Sequence, residues 1–351
     1  MTDRIPVAVL GATGSVGQRF VQLLAGHPWF ELAVLTGSER ALGKPYGEAC
    51  RWMLAEPMSE QAASMIIASS EDLAAGGRVK IAFSALPSEL AYDLEPRLAH
   101  AGLAVCSNAS AFRRDEDVPL LLPEVNPEHA ALVHAQRARH GWRGCIVTNP
   151  NCTSAGLTVA LKALQPFGLR RALAVSLQAL SGAGYPGVAS LDILDNAIPY
   201  IGGEEDKVEW EPRKMLGELA DGGVRLADVA ISAHTNRVAV SDGHLVCASL
   251  ELEQAPNPQA AAQALRDYSA PLASRDLPSA PRPPIAVRDE PDRPQPRLDR
   301  MTGAGMTTVV GRLRPDPLFH LKFVVLSHNT IRGAAGGSIY NAELLVSQGL
   351  I

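Results

Sequence analysis

The segment Ile146-Val-Thr-Asn-Pro-Asn-Cys152-Thr-Ser-Ala-Gly-Leu-Thr-Val-Ala-Leu161 reads as a strand, a sharp Asn-Pro-Asn turn and a helix that begins at a cysteine. A thiol at a helix N-terminus faces the positive end of the aligned peptide dipoles. That lowers its pKa and lines up backbone amides for a tetrahedral oxyanion, which is what thioester chemistry requires. The same position also suits an inert buried thiol, the commoner fate of cysteine, so this segment alone leaves nucleophile and structural filler open. A second stretch, Gly11-Ala-Thr-Gly14-Ser-Val-Gly17, stands between an apolar run and a helical one. Its glycines permit a tight turn and close approach of backbone to phosphate, and the helix start aims amides at an anion, as in dinucleotide-binding turns. The next strand ends in Thr36-Gly-Ser-Glu-Arg40 rather than in an acidic residue. This puts a hydroxyl and a guanidinium where a 2′-phosphate would sit and favours NADP over NAD, with a solvated loop arginine as the plain alternative.

These turns need a frame to hold them. Pro6-Val-Ala-Val-Leu10 reads as a buried strand before the glycine turn, and Gln18 to about Gly26 as a helix with Phe20, Leu23 and Leu24 on one face. Strand-like runs recur at Glu31 to Leu35, Lys80 to Ser84 and Leu103 to Cys106, separated by helical stretches such as Glu89 to Ala101. Alternation of this kind predicts an α/β Rossmann-type cofactor domain, a parallel sheet with right-handed crossovers, over residues 1–148. Longer alternating strands, Leu173 to Leu180 and Arg237 to Glu253, predict an α+β catalytic and oligomerisation domain with a largely antiparallel sheet over 149–328. Eight prolines between Pro271 and Pro296 exclude a central strand or helix interior there and predict an ordered arm or loop. The last segment, Gly336 to Gly349, reads as a helix through Ile339, Leu344 and Leu345, and 329–351 is expected to return to the first domain.

At 351 residues there is room for two cores. The net charge of -5, from 32 basic and 37 acidic residues without a basic stripe or acidic tail, points away from nucleic acid and towards small molecules. No apolar run approaches the ~20 residues needed to cross a membrane, and the N-terminus lacks the order of a signal peptide. The five cysteines are scattered, with no C-x-x-C pair and no zinc-ligand spacing. Free thiols in a reducing cytoplasm and no metal are the expectation. Cys50, Cys106, Cys145 and Cys247 lie in apolar or strand-like surroundings and are expected to be small buried hydrophobes.

Several stretches together resemble the aspartate-semialdehyde dehydrogenase family, in its archaeal and fungal branch, over nearly the whole chain. They are Gly11 to Gly17, Ser107-Asn-Ala-Ser-Ala-Phe-Arg113, Pro123-Glu-Val-Asn126, Asn149-Pro-Asn-Cys-Thr153, Gln178-Ala-Leu-Ser-Gly-Ala-Gly184, Gly202-Gly-Glu-Glu-Asp-Lys207, and Arg237 followed after six residues by His244. The resemblance implies Cys152 as nucleophile, His244 as general acid/base taking the thiol proton, and Gln178 orienting substrate. It implies Arg237 for the substrate carboxylate, Glu204 for its ammonium, and Lys207 and Arg113 for phosphate, with Arg114 as a neighbour that could be confused with Arg113. For NADP(H) it implies Gly11, Thr13, Gly14, Ser15, Val16, Ser38, Arg40, Ser84, Gly182 and Asn329. The implied reaction is NADPH-driven reductive dephosphorylation of L-4-aspartyl phosphate to L-aspartate 4-semialdehyde, on the route to lysine, threonine and methionine, by a dimer or a tetramer of dimers.

Each of these residues also has a plain reading. His244 follows Asp-Gly and reads as a turn residue, Gln178 as a polar position on an alternating strand, and Glu204 with Lys207 as a solvated charged face. Seven residues separate Arg237 from His244, so one continuous strand would point them to opposite faces unless the Ser241-Asp-Gly243 turn intervenes. A malonyl-CoA reductase shares the thioester step but its substrate lacks the ammonium that Glu204 would meet. An N-acetylglutamyl-phosphate reductase fits Gln178 and Glu204 poorly. A non-catalytic NADP-binding protein would carry an inert thiol.

Overall fold

The computed structural model describes residues 4–75 and 79–351 of the chain. Five strands, β1 (Ile5–Leu10), β2 (Phe30–Leu35), β3 (Ile81–Ser84), β4 (Ala104–Ser107) and β5 (Cys145–Thr148), form an all-parallel sheet in the order β2-β1-β3-β4-β5. Helices α1 (Ser15–Leu24), α2 (Ser88–Ala101) and α3 (Leu132–His140) lie among its connections. The strands are apolar almost without a break because both faces are covered. Val7, Val9, Phe83 and Val147 enter one core, while Ala8, Leu10, Ala82 and Ile146 enter the other. Helix α1 starts at Ser15 and stops at Leu24, earlier at both ends than the periodicity suggested.

The second sheet follows α4 (Cys152–Leu164). It contains β6 (Leu169–Gln178), β9 (Ala230–Arg237), β10 (His244–Leu252), β11 (Ile285–Arg288), β12 (Thr308–Pro315) and β13 (Leu321–Ser327), ordered β11-β12-β13-β10-β6-β9. Helix α5 (Glu204–Met215) and a short hairpin of β7 (Glu218–Ala220) and β8 (Gly223–Arg225) precede β9, and α6 (Pro258–Asp267) precedes β11. The sheet is mixed. Its three inner pairings are antiparallel, but β9 runs parallel to β6 and β11 parallel to β12. The crossover through α5 sets the direction of β9, since a helix between two strands lets the second return parallel. Leu157, Leu161, Ala174, Val246, Leu250 and Phe323 form the core beneath the helices. The opposite face carries Leu173, Val175, Leu177, Leu245 and Val324 half-exposed, and Cys247 on it is exposed rather than buried.

Two other expectations are corrected. The strand predicted from Arg237 to Glu253 is broken, with β9 ending at Arg237 and β10 beginning at His244. The proline-rich arm contains a strand, β11, which occupies the sheet edge, the one place where flanking prolines leave the ladder intact. Finally α7 (Gly336–Ser347) returns to the first sheet, where Ile339, Tyr340, Leu344 and Leu345 share a core with Val7, Phe20 and Phe83.

Candidate active site

The turn Asn149-Pro150-Asn151 leads from β5 into α4. Asn151 caps the helix, its Oδ1 accepting from the amides of Thr153 (2.9 Å) and Ser154 (3.2 Å). Cys152 is the first helical residue, partly exposed on the wall of a cavity of about 470 Å³. Its Sγ lies 3.2 Å from Nε2 of His244. Burial pushes the thiol up to about 12, with Glu204 adding to the rise while Arg113 and Arg237 oppose it. In the folded protein desolvation opposes the lowering expected of a thiol at a helix start. Two of the helix's first amides are occupied by Asn151, and desolvation of the sulfur outweighs the remaining dipole.

Burial also takes His244 down to about 3, helped by Arg237 and His328. The backbone amide of Ala179 donates to His244 Nδ1 at 3.0 Å. An amide can only donate, so Nδ1 keeps its lone pair and the neutral ring carries its proton on Nε2, facing the sulfur. His244 thus meets Cys152 as a hydrogen-bond donor. On this geometry an imidazolium would set an Nδ1–H against the Ala179 amide, which favours His244 as a donor to the sulfur over the proton acceptor that the resemblance implies.

Three adjacent strands deliver the rest of this wall. β10, β6 and β9 lie side by side, and the start of antiparallel β10 falls on the same sheet edge as the ends of β6 and β9. His244, Gln178 and Arg237 stand at those three termini, which resolves the face problem that a single strand would have posed. Arg237 is held by Nη1 donating to the Ala179 carbonyl at 2.7 Å. Gly182 packs against both, and a Cβ there would lie 2.8 Å from Arg237 Nη1 and 3.1 Å from the His244 ring. Asn329 ties the two loops together, Oδ1 accepting from the Gly243 amide (2.8 Å) and Nδ2 donating to Ser181 Oγ (2.7 Å).

Helix α5 forms the opposite wall. Glu204 is buried, its Oε1 2.9 Å from Lys207 Nζ and its Oε2 accepting from Asn151 Nδ2 (2.8 Å) and Gln178 Nε2 (3.3 Å). One turn and then another further on, Glu211 and Lys214 continue the same stripe. Glu211 accepts from Arg113 Nη1 (2.8 Å) and from the Asn151 amide (2.6 Å). Lys214 donates to the carbonyls of Arg113, Asp115 and Val118. The solvated face read into Glu204 and Lys207 is instead turned inward. Arg114 points elsewhere, pairing with exposed Asp206 at 2.6 Å, so of these two neighbours it is Arg113 that lines the cavity.

On the far side of the cavity α1 begins. Gly11 has φ +69, and a Cβ on Gly17 would lie 2.2 Å from the Gly11 carbonyl oxygen, so both positions demand glycine. Gly14 caps α1 without a side chain, which leaves the first amides of the helix open to an anion. A dinucleotide fits this cradle. Ser15, Val16, Gly182 and Asn329 line the same cavity as the thiol, and Gly11, Thr13 and Gly14 form the turn that presents Ser15. Ser38 and Arg40 are exposed just beyond β2, and Ser84 ends β3 fully buried; none of these three borders the cavity.

Residues 6–133 match the family model for the semialdehyde dehydrogenase NAD-binding domain, and 161–332 that for the semialdehyde dehydrogenase dimerisation domain. The aspartate-semialdehyde dehydrogenase of Archaeoglobus fulgidus is 50% identical over 99% of this chain and 100% of its own length. The chain belongs to the aspartate-semialdehyde dehydrogenase family. The Saccharomyces cerevisiae member is 45% identical with both chains covered in full. The crystal structure of the Candida albicans enzyme with NADP is 42% identical and superposes with a TM-score of 0.90 over 99% of this chain and 100% of that one. The structure adds Asn151, Glu211 and Lys214 to the hydrogen-bond network around this cavity, none of which the sequence reading had singled out. The signal for the last two was present as a repeat of charge at positions 204, 207, 211 and 214, one stripe of a helix.

Proposed function

We propose that this chain reduces L-4-aspartyl phosphate to L-aspartate 4-semialdehyde with NADPH, and runs the phosphorylating oxidation in reverse, through a thioester on Cys152. The observation that carries the reading is the convergence on Cys152 Sγ, 3.2 Å from His244 Nε2, of Arg237, Glu204, Lys207 and Arg113 in one cavity. Arg237 suits the substrate carboxylate, Glu204 its ammonium, and Arg113 with Lys207 the phosphate. Gln178, fixed beside Glu204, orients the bound aldehyde.

In the oxidative direction the thiol first gives up its proton to solvent. The thiolate, stabilised by Nε2–H of His244 and by Arg237, adds to the aldehyde carbon, and charge moves to the aldehyde oxygen. The glycine turn and Gly182 would hold NADP, which when bound would supply the hydride acceptor; loss of the aldehyde hydrogen with its electron pair leaves the acyl group as the thioester on Cys152. A phosphate oxygen held by Arg113 and Lys207 attacks the thioester carbon, the C–S bond breaks, and the thiolate is restored. His244 keeps its proton throughout and serves as donor to sulfur and then to the developing oxyanion.

The half-exposed apolar face of the second sheet, with Leu173, Val175, Leu177, Leu245 and Val324, supports assembly of two copies, alone or as a pair of dimers. A cytoplasmic setting agrees with cysteines that are all unpaired. The test of function is reduction of NADP with L-aspartate 4-semialdehyde, with and without inorganic phosphate. Phosphate-dependent reduction is expected. Silence there, with NADPH oxidised by malonyl-CoA, would transfer the chain to the malonyl-CoA reductases.

A further inference from the structure

Glu211 reaches neither the thiol nor the cavity wall, yet it is 2% exposed and carries a carboxylate that both of its neighbours need. One oxygen accepts from the side chain of Arg113 and the other, at 2.6 Å, from the amide of Asn151, the residue immediately before the nucleophile. Arg113 is fastened a second time where Nη2 donates to the Asn108 carbonyl at 2.7 Å. Two fixed corners define the guanidinium plane. Of the N–H groups that remain, the one on Nε is buried out of reach without a partner, which leaves the second N–H of each Nη for an oxyanion at the cavity that Arg113 lines. Lys214, one turn on, holds the backbone carbonyl of Arg113 at 2.8 Å.

We propose that Glu211 is the positioning residue for phosphate: it fixes Arg113 against the Cys152 turn, and so sets where the attacking phosphate oxygen stands relative to the thioester carbon. The proposal rests on the phosphorylating reaction argued above. A carboxylate suits the task because both of its oxygens accept. A glutamine would have to turn its NH2 towards either the guanidinium or the Asn151 amide, and one of those donors would lose its partner. A burial this complete also makes the loss of one partner expensive for the other.

The experiment separates the two half-reactions. Mixed with NADP and L-aspartate 4-semialdehyde but no phosphate, the enzyme should release a burst of about one NADPH per active site as the thioester forms; added phosphate then gives turnover. In Glu211→Gln the burst should persist within about twofold while KM for phosphate rises about 30-fold or more. A phosphate KM within threefold of the parent, or loss of the burst in step with turnover, would overturn the proposal. The pair Arg113→Met and Glu211→Met, which together leave no buried charge unmatched, supplies a second reading. The double variant should have the phosphate KM of Arg113→Met alone, and additive losses would sink the idea. A parent enzyme that bursts but ignores phosphate would instead refute the reading of function itself.

Discussion

Helices α1 and α4 both begin at this cavity, and they begin differently. α1 starts behind a bare glycine cap, with its first amides open. α4 starts behind Asn151, whose side chain takes the amides of Thr153 and Ser154. The same dipole therefore does different work at the two ends. Where nothing caps the helix, backbone N–H groups are left for a ligand anion; where a side chain caps it, the helix is stiffened and the residue at its start gains position rather than charge. For the mechanism proposed above, what the structure offers Cys152 is placement near His244, in a cavity shared with Arg237 and Arg113.

The contrast can be broken most severely at the thiol. Cys152→Ser should cut turnover at least about ten-thousand-fold while NADPH binding, followed by fluorescence, stays at the parental level. The buried thiol comes next. Its pKa stands above the ordinary value, so less thiolate exists at any given pH, and alkylation of the free enzyme should climb about tenfold per pH unit between about pH 7 and 9. A plateau beginning near pH 7 would mean that the helix start does activate the sulfur. At the other helix, Gly17→Ala drives a methyl into the Gly11 carbonyl and should raise KM for NADP at least about tenfold, with Cys152 alkylation unchanged. Asn151→Ala gives the smallest effect and the sharpest comparison. It should lower Tm by about 2–4 °C and, by freeing two amides, speed alkylation at neutral pH about two- to fivefold.

The sequence carried the parallel sheet clearly, because strands buried on both faces leave uninterrupted apolar runs such as Ile81 to Phe83 and Cys145 to Val147. It misled between Arg237 and His244, where Val238 and Val240 keep the alternation of a strand going through what is a turn. Cys247 misled for a related reason. Its neighbours Val246 and Ala248 face the core, yet the opposite face is apolar too, so hydrophobicity could not mark it as exposed. The position of Cys152 at a helix start was legible, but its proton affinity was not, since desolvation comes from residues distant in the chain. Charge along α5 was read as solvent-facing by the usual rule for amphipathic helices, and only the tertiary structure shows Glu204, Glu211 and Lys214 buried.

The return of α7 to the first sheet sets an order of events during synthesis. β1 is synthesised long before α7, and until α7 emerges the core around Val7 and Phe83 lacks Ile339, Tyr340, Leu344 and Leu345. The nucleotide-binding half therefore carries an unfinished apolar surface until the second sheet has been made and α7 follows it. Loss of α7 would leave that surface open for good.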